Sequence, residues 1–456
     1  MKQTSRITST YSADTMGVCS ALFELGGMTI MHDASGCNST YTTHDEPRWY
    51  DMDSMVYISA LTEMEAIMGD DEKLLGDIED AVRELHPKFV AIAGTPIPTM
   101  TGFDFEAVAA VAEQRTGVPC FGFATTGMNT YIHGVSMAFE TLAKRVVKDI
   151  KTEKKKELPS DNERQDVQEE SFSKHTDSNQ YGSHSTTPKK LKVNIIGLTP
   201  LDFSVNGQDS SIASWLESEN FEVVSRWAMG STLEEIAMAG EADVNLVVSA
   251  SGLAAAKVLF ERFGMPYAVG LPIGHELPGA FADLIKTKVR EFKEADASAA
   301  TFESREISIH SGIFLAGSDS QNSAAQNATA ERKNTTDSVQ PYKKGFTAII
   351  GEGVASFSLA NAVELDLGIP AKVLCTTECP EDMLRECDRI TPDEDDIIPE
   401  LEGAAYIIAD PLYKPICPPE AKFIPLPSEG FSGRLYRDEI PNLITDFEDF
   451  LKKRCI

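Results

Sequence analysis

Positive charge is what this sequence is short of. Its 456 residues carry 41 Lys and Arg against 71 Asp and Glu, a formal charge of -30. So acidic a surface repels phosphate backbones, and no nucleic-acid partner is expected. Long apolar runs are also missing. No stretch approaches the roughly 18 apolar residues of a membrane span, so none is expected. The opening residues, Met1 to Arg6, lack the apolar core of a secretory signal, and a cytoplasmic location is expected. Finally, GxxxxGK(S/T) is absent. Any nucleotide hydrolysis that serves this chain belongs to another protein.

What is present looks like a globular protein of several domains. Hydrophobic residues make up 42% and charged residues 25%, enough for more than one core. Eight cysteines stand at 19, 37, 120, 375, 379, 387, 417 and 455. In a cytoplasmic chain they are thiols, metal ligands or core residues rather than disulfides.

Two stretches read as disordered linkers, 151–190 and 317–344. Both are rich in Ser, Lys, Asn and Glu or Gln and nearly free of aliphatic residues. They divide the chain into α/β domains at 1–150, 191–316 and 345–456. In the first, the apolar run Lys88–Ala93 precedes a helical pattern over Phe105–Gln114 and a second run over Val118–Phe123. Leu74, Leu75, Ile78, Val82 and Leu85 recur at helical spacing. The second block reads as strands at Leu191–Gly197, Val244–Val248 and Pro266–Gly270, with helices at Ser211–Ser218 and Leu253–Arg262. The third reads as strands at Phe346–Gly351, Ala371–Cys375 and Ala405–Ala409, with helices at Ser356–Leu367 and Leu443–Lys453. Short apolar strands alternating with helices predict mainly parallel sheets and three Rossmann-like domains. Ligands then belong at the carboxyl ends of the strands.

The stretch Tyr11–Cys37 carries the most chemistry. Cys19 sits in Gly17-Val-Cys-Ser-Ala21 and reads as the start of a helix. Cys37 follows the short strand Met28–Met31 and the loop His32-Asp-Ala-Ser-Gly36. A thiol at a helix start or strand end meets backbone N–H groups, which favour the thiolate. Two readings stand on these residues: paired metal ligands, or small buried hydrophobes.

Four ordered landmarks give the first block a family resemblance. Gly17-Val-Cys19 resembles the first cluster-cysteine region of nitrogenase component 1 proteins, and His32–Cys37 resembles the second. Ser59-Ala-Leu-Thr-Glu63, Ile67-Met-Gly69 and Glu72-Lys-Leu-Leu75 are similar to the family's intervening segment. Thr95–Asp104 is similar to its third cysteine segment. The resemblance continues more loosely through the other two blocks.

That resemblance implies a subunit of a nitrogenase-like reductase. Electrons would come from an ATP-dependent P-loop iron protein and pass through a cluster to a small molecule in a cleft between the domains. Three departures qualify it. Thr95 replaces the third cysteine, so Cys19 and Cys37 are the implied ligands. Taken from two related subunits, they supply the four thiolates of one shared [4Fe-4S] cluster. Either a homodimer or a heteromer with a related component 1 subunit meets that count. Ser249 replaces the cofactor cysteine, and Pro425–Gly433 carries no histidine where the family places one. An iron-molybdenum cofactor is therefore not expected, and a tetrapyrrole-like substrate is a closer match than dinitrogen. The rival reading is a non-catalytic scaffold or carrier for metallocofactor assembly.

Other candidates are weaker. Cys375, Cys379, Cys387 and Cys417 match no metal-site spacing and read as strand-end thiols. Cys120 reads as core. His32 and Asp33 are placed to tune a cluster or relay protons, with Asp33 a possible substitute ligand. His133 and His275 follow or interrupt apolar segments. Gly351-Glu-Gly353 resembles a phosphate-receiving turn without the full dinucleotide fingerprint.

Overall fold

The computed structural model describes residue 7 and residues 13–34, 46–149, 190–297 and 345–453. Cys37, Cys455 and, apart from Lys190, both stretches read as linkers lie outside the described residues.

Three sheets form the frame. The first contains β1 (Met28–Met31), β2 (Met55–Ile58), β3 (Val90–Ala93) and β4 (Cys120–Phe123), in the order β2-β1-β3-β4. The second contains β5 (Leu191–Leu198), β6 (Phe221–Ala228), β7 (Val244–Val247) and β8 (Tyr267–Val269), in the order β6-β5-β7-β8. The third contains β9 (Phe346–Gly351), β10 (Ala371–Cys375), β11 (Arg389–Ile390), β12 (Ala404–Ala409) and β13 (Lys422–Pro425), in the order β11-β10-β9-β12-β13. Every pairing is parallel. β1, β3 and β7 are buried at every residue, as strands covered on both faces must be.

Local chemistry fixes the helices. Leu74, Leu75, Ile78 and Val82 form the buried stripe of the helix Glu72–Leu85. Asp104 caps the helix Phe105–Thr116 by accepting from the Ala107 amide at 3.0 Å, and Gly117 ends it at φ 70°. The helices Asp14–Leu22 and Tyr131–Arg145 cross at backbone contact. A Cβ on Gly134 would stand 1.8 Å from the Asp14 carbonyl, and one on Gly17 would stand 2.1 Å from that of Tyr131.

One buried core runs through all three sheets, joining Ala91, Ile195 and Ile349, among others, in a continuous apolar cluster. Smaller cores lie on the outer faces of the first and third sheets. Shared packing therefore ties the sheets together and fixes what meets between them.

Each sheet reverses its winding once, between β1 and β3, β5 and β7, and β9 and β12. In doubly wound sheets a crevice opens at the carboxyl ends of strands at that reversal. Those crevices position the site.

Candidate functional site

The crevices of the second and third sheets face each other. Asp202 follows β5 and Ser249 follows β7. Glu352 follows β9 and Asp410 follows β12. Tyr131 enters from the first sheet as the opening residue of its helix, with a side chain only 1% exposed. Its hydroxyl donates to Asp202 Oδ1 at 2.5 Å. Asp202 Oδ2 lies 3.4 Å from Thr199 Oγ1, and Ser249 also hydrogen-bonds this carboxyl. Glu352 Oε1 accepts from the Ala250 amide and Oε2 from the Ala355 amide, both at 2.8 Å. One carboxyl thus caps its own helix and holds the loop after β7. Asp410 accepts from the Leu412 and Ser428 amides at 3.0 and 2.9 Å and from Ser432 Oγ at 2.8 Å.

Burial governs the electrostatics. It pushes Asp202 up to about 6. It pushes Glu352 up to about 8, with the neighbouring Asp202 charge adding to the shift. Tyr131 is driven well above the ordinary phenol range, again mainly by burial. Asp410 is raised for the same reason, against the pull of its donors. Two neighbouring carboxyls in a largely enclosed site resist ionising together, so Glu352 holds its proton near neutral pH. Beside them is a cavity of about 80 Å³, lined by Asp202, Glu352, Asp410, Ser428 and Phe431 among others. It has room for a few waters. The arrangement can store protons near neutral pH and release them into a confined, wettable space.

Ser249 is buried here, with Oγ 3.0 Å from the Ser251 hydroxyl. In the loop Pro425–Gly433, Ser428 Oγ lies 3.2 Å from the Leu201 carbonyl, and the buried Glu429 pairs with Arg437. The side chains lining the cavity are carboxylates, hydroxyls, an amide and apolar groups.

A second set runs from the carboxyl end of the first sheet along the helix Asp14–Leu22. Cys19 is fully buried inside the helix Asp14–Leu22, not at its start as the sequence suggested. The helix begins earlier, where the Asp14 carboxylate takes the Thr126 and Gly127 amides at 3.0 and 2.7 Å. Away from the helix terminus, the Cys19 thiol is pushed far above its ordinary range by burial and then by the Glu46 charge. Glu46 pairs with Arg48 at 2.6 Å, Arg48 pairs with Glu24 at 3.0 Å, and its Nη2 donates to the Ser20 carbonyl at 2.8 Å. Cys37 lies outside the described residues, which stop at Ala34 and resume at Glu46. Of the two cysteines singled out in the sequence, Cys19 alone lies among the described residues.

Thr95, in the place of the third cysteine, sets its Oγ1 3.0 Å from both the His32 carbonyl and Asp33 Oδ1. His32 Nδ1 lies 2.9 Å from Ser59 Oγ, and its ring packs 4.3 Å from Phe103. Burial lowers its pKa to about 4, so it is a neutral imidazole in ordinary conditions. At the same end, the helices Glu63–Met68 and Pro96–Thr101 touch each other. They leave Met64, Ile67, Met68 and Met100 exposed, Met100 to 86%.

Of the remaining sequence candidates, Cys120 is core in β4. His133 is exposed, and His275 is an exposed partner of Glu448, so neither lines the cavity. The Gly351–Gly353 turn does open a helix, but Glu352 supplies its own carboxylate where a phosphate would bind. Cys375 and Cys379 come together, whereas Cys387 turns to Asp388 and Cys417 to the Tyr413 carbonyl. Among the described residues, no group of three or more His, Cys, Asp or Glu side chains is arranged to hold a metal ion. Sequence reasoning missed Tyr131, Asp202 and Glu352 as a unit. The available signal was Thr199-Pro200 closing β5, which repeats Thr95-Pro96 closing β3.

Comparison with known proteins gives a consistent picture. The chain is 24% identical over 209 residues to a nitrogenase iron-molybdenum cofactor biosynthesis protein NifE of Clostridium pasteurianum, covering 45% of this chain and 37% of the relative. The NifE of Methanosarcina barkeri is 26% identical over 211 residues, covering 45% and 39%. The chain thus spans under two fifths of these curated relatives in the matched regions. In fold it resembles nitrogenase Cp1 at pH 6.5, with a TM-score of 0.59 at 15% identity, covering 100% of this chain and 95% of that one. The same protein at pH 5 gives a TM-score of 0.51 at 16% identity, covering 88% and 72%. The family model for nitrogenase component 1 type oxidoreductases matches residues 14–401. With most of its length inside that match and three parallel sheets meeting at a buried acid cluster, the chain belongs to the nitrogenase component 1 type oxidoreductase family.

Proposed function

We propose that this chain is a subunit of a component 1-type reductase that reduces a small molecule with electrons from a separate P-loop iron protein. Cys19 and Cys37, from this chain and from a second copy or a related subunit, hold a shared [4Fe-4S] cluster, which when bound supplies electrons singly at low potential. The exposed methionines on Glu63–Met68 and Pro96–Thr101 support a protein partner at that end. A helix with no buried residue, held by the Thr62–Glu65 capping box, gains a core only when another surface covers it.

The observation that carries the reductase reading is the chain Tyr131–Asp202–Glu352 beside its cavity. Reduction of an organic substrate consumes protons along with electrons, and a carrier has no need of them. Asp202 and Glu352 hold a proton at neutral pH. Tyr131 orients Asp202 by its hydrogen bond and closes the first sheet's side against water. A cavity of about 80 Å³ takes a small group. A tetrapyrrole is larger than this cavity.

The second reading, a scaffold for metallocofactor assembly, draws on the role printed for the curated relatives, cofactor biosynthesis. Asp202→Asn beside the wild type separates the two. With iron protein, ATP and reductant, and with protons and acetylene as probe substrates, the reductase reading expects unchanged iron content. Product formation falls about 100-fold, the lower range for losing a general acid. Unchanged turnover in the variant removes Asp202 from proton delivery, whereas no turnover in the wild type, with metallocofactor that departs with another protein, supports the carrier.

A further inference from the structure

We propose that Cys375 and Cys379 form a redox-active dithiol site that a disulfide-bearing reactant closes to an intramolecular disulfide. This goes beyond the reductase reading and does not depend on the cluster.

The geometry brings the two thiols together at a helix start. β10 ends at Cys375, which is fully buried. The loop Thr376-Thr377-Glu378 then turns back and returns the Cys379 side chain to hydrogen-bond with the Cys375 sulfur. Both sulfurs crowd the first residue of the helix Gly353–Leu367. A Cβ on Gly353 would stand 2.9 Å from Cys379 Sγ and 3.5 Å from Cys375 Sγ, so this position has space only for glycine. The amino end of a helix of 15 residues favours a thiolate there. The hydrogen bond from Cys379 draws the Cys375 thiol below its ordinary range, outweighing burial. Cys379 is partly exposed and gives a reactant access. Cys375 Sγ also faces the Thr377 carbonyl at 3.5 Å and Cys379 Sγ the Pro380 carbonyl at 3.7 Å, while Cys120 and Cys417 face the Val118 and Tyr413 carbonyls at 3.3 Å and Cys387 faces Asp388 at 3.5 Å.

The chemistry balances as thiol–disulfide exchange. The accessible Cys379 sulfur attacks one sulfur of the reactant. The reactant's S–S bond breaks, and the departing thiolate takes up the Cys379 proton. The Cys375 sulfur then attacks Cys379 in the mixed disulfide, and the second reactant thiolate leaves with the Cys375 proton. Two electrons pass from the dithiol to the reactant, which ends as two thiols.

Glu378 makes this reaction felt elsewhere. Lying between the two cysteines, it accepts from the Thr130 amide at 3.2 Å and from the Thr130 hydroxyl. Thr130 is the N-cap of the helix that Tyr131 opens. Closing the disulfide tightens the loop and shifts the carboxylate that seats Tyr131.

The test uses the full chain, purified without oxygen and equilibrated with graded ratios of reduced to oxidised glutathione. Free thiols are then alkylated, and peptides are identified by mass. The expected result is a Cys375–Cys379 peptide lighter by two hydrogens and protected from alkylation, appearing together at one midpoint. Cys375→Ser should instead trap a glutathione adduct on Cys379, while Cys387→Ser and Cys417→Ser leave the midpoint unchanged. Independent alkylation of Cys375 and Cys379 at every ratio, in protein whose circular dichroism is unchanged, overturns the proposal. Because the readout is thiol mass, it can fail while the reductase reading survives, and the reverse.

Discussion

Tyr131 and Asp202 join the first sheet to the second through one buried hydrogen bond of 2.5 Å. Tyr131 is 1% exposed, and Asp202 is half-buried where it lines the cavity. Tyr131→Phe keeps the ring that Gly430 packs against and removes only the donor. Leaving a buried acceptor without its donor costs about 1–3 kcal/mol. Denaturant unfolding of the variant should show that loss at an unchanged m-value. A change of a few tenths of a kcal/mol would mean that the bond contributes little.

Asp202 also gives stability a pH dependence of definite sign. Its pKa is raised from 3.8 to about 6 on folding, so the folded state binds more protons in that interval. The stability that a neutral Asp202 supplies is complete below the lower value and is lost as pH rises through the upper one. Asp202→Asn removes this component, because an amide does not titrate. Between those two pH values the wild type should lose stability relative to the variant. Parallel curves over that range would contradict the buried-acid account.

Two glycines in helices predict opposite outcomes. A Cβ on Gly134 meets the Asp14 carbonyl carbon at 2.6 Å as well as its oxygen, and backbone cannot step aside cheaply. Gly134→Ala should force the two helices apart and cost at least the 1–3 kcal/mol or so of an overpacked core. Gly76, within the helix Glu72–Leu85, has open space around its Cβ position. Gly76→Ala should stabilise by about 0.4–1 kcal/mol through lost unfolded-state freedom. Thermal unfolding of the two variants side by side checks both signs.

Arg48 is a buried cation bound to Glu46 and Glu24, and it stands close to where the described residues resume at Glu46. Arg48→Met removes one partner from two buried or partly buried ion pairs, a change worth about 3–5 kcal/mol. The variant should therefore unfold earlier and retain less iron when purified without oxygen. Full iron retention would detach this network from the cluster region.

The frame was legible where one signal dominated. β3, β5, β7, β9, β10 and β12 stand out because their residues are apolar on both faces. The stripe Leu74, Leu75, Ile78 and Val82 likewise gave its helix. β6 was invisible because Glu222, Ser225 and Arg226 interrupt its apolar residues. β13 is an edge strand of the third sheet, bounded by Pro425, and it carries the exposed Lys422. The helix start assigned to Cys19 failed because Asp14, the true first residue, is fixed by amides from Thr126 and Gly127 that are distant in sequence. The acid cluster was illegible for a related reason. Tyr131, Asp202 and Glu352 come from three sheets, and only folding makes them neighbours. The segments Ser59–Leu75 and Thr95–Asp104 turn out to include the exposed Met64, Ile67, Met68 and Met100, a patch that helical spacing alone does not reveal.

The cluster is the central claim, and iron is its direct measure. Iron and acid-labile sulfide per chain should be determined on protein purified without oxygen from cells able to build clusters, together with Cys19→Ser and Cys37→Ser. One [4Fe-4S] shared by two chains predicts about two irons and two sulfides per chain, with broad visible absorbance that bleaches on reduction. Each single variant should lose most of that iron. Colourless wild-type protein, or full iron content in both variants, would show that Cys19 and Cys37 are not cluster ligands.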